Sequence, residues 1–148
     1  MPEFSDPPEP EENPVRPQAN RSPRVEISNA VSRIQSQYYG KGPIRAKTYM
    51  EDDLVVVVLE ETFTRAEKTL ISRGETEAIQ AIRRRFQESV ADEFVAIIEQ
   101  ATGRKVRAFL SDTDVQNDVS VETFLLAENR TDMKGFEGEA DGISGDAR

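Results

Sequence analysis

The chain has 148 residues and a net charge of −9, and it contains no Cys, His or Trp. Those absences exclude disulfides, ordinary zinc, haem and copper sites, and Ser-His-Asp or Cys-His nucleophile systems. Residues 24–127 carry 17 acids against 14 bases. That leaves no net basic field for nucleic acid.

Residues 1–23 are rich in Pro and Glu and poor in apolar groups, so a disordered arm is expected there. A first helix is predicted over about residues 24–39, with Ser22-Pro23 as its start signal and Ile27, Val31, Ile34 and Tyr38 along one face. Gly40 and Pro43 end it.

Two strands follow. From Ile44 to Met50, the residues Arg45, Lys47 and Tyr49 point one way, and Ile44, Ala46, Thr48 and Met50 the other. After the turn Glu51-Asp52-Asp53, the run Leu54–Leu59 is apolar on both faces. A strand of that kind needs both faces covered. The expectation is therefore that the first helix or a second subunit covers the face opposite the main helix layer, with Val55, Val57 and Leu59 as the packing or dimer-interface set.

Thr64-Arg65-Ala66-Glu67 reads as a capping box opening a short helix to about Ser72. A long amphipathic helix is predicted over Thr76–Ala101, with its stripe at Ile79, Ile82, Phe86, Val90, Phe94, Ile97, Ile98 and Ala101. In the next strand Val106, Ala108 and Leu110 are expected to alternate with Lys105, Arg107 and Phe109. A turn over residues 113–118 leads into a last strand from Val119 to Ala127. An acidic, Gly-rich disordered tail is expected over 129–148. The order α-β-β-α-α-β-β predicts an α+β two-layer domain over residues 24–128: a four-stranded, mostly antiparallel sheet with the long helix packed on it.

Four cations draw the first functional reading. Arg45 and Lys47 share one strand face, and Lys105 and Arg107 share another. If the two strands are neighbours, the four would form a basic face with Tyr49 and Phe109, suited to a small oxyanion, a nucleotide or an acidic partner surface. Otherwise they are ordinary surface residues. Arg83-Arg84-Arg85 fan out around their helix and read as a solvated face paired with Glu77, Glu88 and nearby acids, with an anion or acidic-partner site as the alternative. Asp112, Asp114, Asn117 and Asp118 open like a calcium loop, but Thr123 stands where the bidentate acid is needed, so no metal site is expected. No cofactor motif is present, and no spacing singles out a catalytic carboxylate pair, although Asp53 with Asp112 would be a candidate if enclosed together. The residue reading is of a non-enzyme. No apolar run approaches the ~18–20 residues that span a bilayer, and no signal peptide is evident, so a cytoplasmic protein without direct membrane insertion is expected.

Several segments together resemble one family: Tyr38-Tyr39-Gly40-Lys41-Gly42-Pro43, Asp52 to Glu60, Thr64 to Leu70, Arg85-Phe86-Gln87, Thr102 to Val106, and Phe109 to Thr113. In this order they are similar to the small bacterial domain first known as a domain of unknown function and later named MpsC, after a sodium-translocating, membrane-potential-generating system. The resemblance covers roughly residues 25–127. It implies a non-enzymatic accessory or regulatory domain of a membrane ion-transport system, with transporter subunits as partners, and brings no catalytic residues with it. The doubly apolar Leu54–Leu59 strand adds the expectation of a homodimer. The competing expectation is a small-anion or nucleotide sensor using the basic sheet face.

Overall fold

The computed structural model describes residues 22–128. The expected arm and acidic tail therefore lie outside the described residues, apart from Ser22 and Pro23. Seven elements follow in order: α1 (Pro23–Tyr39), β1 (Arg45–Glu51), β2 (Leu54–Glu60), α2 (Arg65–Ser72), α3 (Thr76–Thr102), β3 (Val106–Asp114) and β4 (Val119–Leu126). This is the α+β architecture and element order expected from the sequence.

Local chemistry sets the boundaries. α1 begins at Pro23 and stops at Gly40, whose φ of 71° lets its N–H turn back to Ser36 O at 2.9 Å. In α2 the full capping box forms: Glu67 N donates to Thr64 Oγ1 at 3.2 Å, and Thr64 N donates to Glu67 Oε1 at 3.0 Å. α3 ends at Gly103 in the same left-handed conformation as Gly40.

The sheet order is β1-β2-β4-β3, antiparallel throughout. β2 and β4 are central, which suits their apolar composition; β1 and β3 are the two edges. The main core lies beneath the sheet, and a smaller buried cluster gathers Phe63, Ile79 and Val115. Ile27, Val31 and Ile34 of α1, Val90, Phe94 and Ile98 of α3, and Val55, Val57, Leu59, Phe124 and Leu126 of the central strands all bury together. Phe109 stacks between Phe94 and Phe124, at centroid distances of 5.9 and 4.7 Å.

Three expectations need correction. α1 does not cover the second face of the sheet: it packs against β1 and α3 on the same side that α3 occupies. The parity of β3 changes within the strand. Val106 pairs with Leu126 and Ala108 with Leu125, so Arg107 is an extra residue in a bulge. Beyond it Phe109 faces the core while Ala108 and Leu110 face outward, the reverse of simple alternation. The α3 stripe also differs, because Ile82 is 58% exposed while Arg83 and Gln87 are buried.

Candidate functional site

Two features stand out: the sheet face that carries no helix, and a polar cluster sealed beneath the opposite face.

The open face is built from the residues that alternate away from the core. Its register gives four cross-strand rows. In the row nearest the β1–β2 turn, Glu51 faces Leu54, Leu54 faces Leu125, and Leu125 faces Ala108. The next row runs Tyr49, Val56, Thr123, Leu110, and the third Lys47, Val58, Val121, Asp112. The fourth is Arg45, Glu60, Val119, Asp114. The middle of this surface is aliphatic. Leu54, Tyr49 and Leu110 are 39%, 50% and 59% exposed. A continuous apolar sheet face of this kind marks an interaction surface more often than it marks solvent. Its two edges carry opposite charge over the third and fourth rows, Lys47 and Arg45 on β1 against Asp112 and Asp114 on β3, while Glu51 on β1 and Glu60 on β2 add acids at the two ends of the face.

Val55, Val57 and Leu59 are not part of it. They are fully buried against the chain's own helices, so any dimer contact on this strand falls to Leu54, Val56 and Val58 instead. Lys105 and Arg107 lie at the β3 edge, with β2 and β4 between them and Arg45 and Lys47 on β1. The four cations therefore do not converge, and Phe109 is turned into the core, so the anion-binding face lacks its geometry. Lys105 pairs with Glu99 at 3.3 Å and Arg45 with Glu60 at 3.5 Å. Lys47 Nζ sits over the Tyr49 ring at 4.8 Å. Asp53 pairs with Arg104 at 2.6 Å in the β1–β2 turn, and Asp112 lies out on β3, so the two share no enclosed pocket.

The buried cluster begins at Arg83, which is 2% exposed. Its Nε donates to Glu67 Oε2 at 2.7 Å and its Nη2 to Glu67 Oε1 at 2.8 Å. Nη1 and Nη2 also reach Thr62 Oγ1 and Thr62 O, both at 3.1 Å. The guanidinium lies between the Tyr39 and Phe63 rings, 4.0 and 4.8 Å from their centroids. Planar, bidentate and stacked, this contact is one that Lys could not reproduce. Burial pushes the Glu67 carboxyl up, but the bonds from Arg83 and Thr64 outweigh it and hold it below its ordinary range. Asp118 extends the clamp by accepting from Thr62 N at 2.9 Å and from Phe63 N at 3.2 Å. It thereby ties the β3–β4 turn to the segment entering α2.

One helical turn along α3, Gln87 Nε2 donates to Glu122 Oε1 at 2.9 Å. Glu122 is fully buried on β4. Burial pushes its carboxyl up to about 7, against the opposing pull of Ser111, Gln87 and the Arg83 charge. Ser111 lies directly opposite it across β3–β4, yet its Oγ makes no well-formed hydrogen bond. Glu122 Oε2, Tyr39 OH and both amide atoms of Gln35 also have no protein partner among the described residues. Burial likewise pushes the Tyr39 hydroxyl up, to about 12.

Chemically, Arg83 places four of its five N–H donors in hydrogen bonds and acts as a clamp joining α1, α2 and α3, while Glu122 can hold a proton near neutrality. Sequence reasoning missed both. The signals were present: Ile79, Arg83, Gln87 and Val90 are spaced by four, four and three, and Glu122 has the parity of Phe124 and Leu126.

A family model described as "Na+-translocating membrane potential-generating system (MpsC)" matches residues 21–128, a span that holds every element of both features. The chain belongs to the MpsC family. Among curated proteins the MpsC domain is similar to "Uncharacterized protein YbcI" of Bacillus subtilis (strain 168). The two are 29% identical over 105 residues, 70% of this chain and 85% of that protein. No solved structure matches. No helix among the described residues is long and apolar enough to cross a membrane.

Proposed function

We propose that this MpsC domain is a non-catalytic accessory domain that acts by association, in the cytoplasm and as a homodimer. The setting is the one the family description names, a Na+-translocating membrane potential-generating system, and its transporter subunits are the partners. The observation that carries the reading is the open sheet face, whose centre offers aliphatic contact area from Leu54, Val56, Val58 and Val121, with charge on its edge strands and, at Glu60, at one end. That composition fits an interface, with an apolar middle and a polar rim. The buried Arg83–Glu67 pair joins α3 to α2, and the Gln87–Glu122 pair ties α3 to β4 beneath that face.

The test is quantitative capture from native membrane extract with the full chain as bait and a Val58→Lys chain as control. Enrichment of ion-transport subunits by the parent chain over the control supports the reading. Equal recovery by both, or none by either, overturns it.

A further inference from the structure

We propose that the open sheet face seats a second copy of this chain about a two-fold axis running along the strands, so that the cationic edge of each copy meets the acidic edge of the other. The inference rests on the open face being the working surface, and it names the partner of that face and its register.

The geometry follows from the sheet order. A two-fold axis along the strands lays β1 of one copy over β3 of its partner and β2 over β4, while each cross-strand row stays opposite itself. Lys47 then meets Asp112, Arg45 meets Asp114, Val58 meets Val121 and Leu54 meets Leu125, each twice by symmetry. A two-fold axis across the strands would set β1 over β1 and leave Asp112 and Asp114 facing Leu110 and Ala108. The first arrangement gives Lys47, Arg45, Asp112 and Asp114 each an opposite partner and sets Glu51 against Ala108, whereas the second pairs only Arg45, with Glu51. Sheets packed face to face lie about 30° apart in strand direction and about 10 Å apart, which suits side chains of this size.

The edge groups are free to serve. Arg45 is held only by Glu60 at 3.5 Å, with its side chain 74% exposed. Lys47 and Asp112 form no ion pair among the described residues. Asn117 holds Asp114 ionised by hydrogen bonding. The footprint is modest. Four strands at about 4.8 Å spacing and seven residues at about 3.3 Å rise cover on the order of 450 Å² per copy, below the ~800 Å² per partner of a standard interface. A Kd of about 1–100 μM is therefore expected, with the rim charges setting register more than strength.

The experiment uses three full-length chains in sedimentation velocity: the parent, Lys47→Glu and Asp112→Lys. The parent should show concentration-dependent dimerisation. Each variant alone brings two like-charge contacts and should lose affinity by about tenfold. In an equimolar mixture, the carboxylate introduced at position 47 of one variant meets the ammonium introduced at position 112 of the other. The second symmetric site regains the natural Lys47–Asp112 contact. The mixture should recover dimer to within about threefold of the parent. A parent chain that is monomeric up to about 100 μM overturns the proposal, as does a mixture no stronger than its components. Transporter capture that still depends on Val58 in a monomeric parent would leave the open-face reading standing and remove only the second copy.

Discussion

Glu122→Gln tests the buried cluster through its pH dependence. In the unfolded chain Glu122 ionises near 4.5, whereas in the folded domain burial holds it protonated to about 7. Between those values the folded state binds more protons than the unfolded state, so stability falls as pH rises and levels off above about 7. At about 1.4 kcal/mol per pH unit, the gap corresponds to at most about 3–4 kcal/mol. The groups facing the carboxyl are Gln87, Ser111, Arg83 and Tyr39; Tyr39, pushed up to about 12, stays neutral in this window. The chain has no His, so no other side chain ordinarily titrates there. The substituted amide keeps the shape of the carboxyl and can still accept from Gln87 Nε2 without ever ionising. Urea unfolding at pH 5, 6, 7 and 8 should show the parent losing stability with pH and the variant nearly flat. The two should coincide near pH 5 and differ by about 1–3 kcal/mol at pH 8, the variant being the more stable. A variant with the same slope as the parent, or less stable at pH 8, would refute the reasoning.

Removing one half of the Arg83–Glu67 pair strands a buried charge, so Arg83→Ala should cost about 3–5 kcal/mol in chemical denaturation, and Arg83→Lys should not restore the loss. Glu67 titrates in the opposite sense to Glu122: its folded-state carboxyl is held low, so its contribution is present above about 4.5 and fades as pH falls below it. Acid unfolding of Glu67→Gln should therefore be flatter than that of the parent. Asp118 takes a positive φ of 50° and satisfies two backbone N–H groups. Asp118→Ala should cost about 2 kcal/mol, and Asp118→Asn, which tolerates that backbone and can still accept, about half as much by the same denaturant series. Neighbouring valines should behave oppositely: Val57→Lys buries an unpaired charge and unfolds the domain, whereas Val58→Lys keeps the native circular dichroism spectrum.

Much of the fold was legible because its signals are local. Pro23 and Gly40, the Thr64–Glu67 capping box and Gly103 mark helix ends with residues whose chemistry acts within one turn. The central strand could be read from Leu54–Leu59 alone. What escaped depends on how elements meet. Strand order put β1 and β3 at opposite edges and dispersed the four cations, and no local pattern encodes that order. The bulge at Arg107 reversed the parity of β3, and nothing in its own sequence marks it. Arg83 was misread because an arginine triplet suggests solvent, yet Thr62, Glu67, Tyr39 and Phe63 supply from three other segments the partners that make its burial stable. The apolar second face of β2 did announce itself, although α1 turned out to lie on the other side.

The most direct measurement of the central claim is the sedimentation of the full-length Val58→Lys chain beside the parent across the same concentrations. A folded variant that stays monomeric where the parent dimerises is the predicted result. A variant that assembles as the parent does would show that the open sheet face is not where this domain makes its contacts.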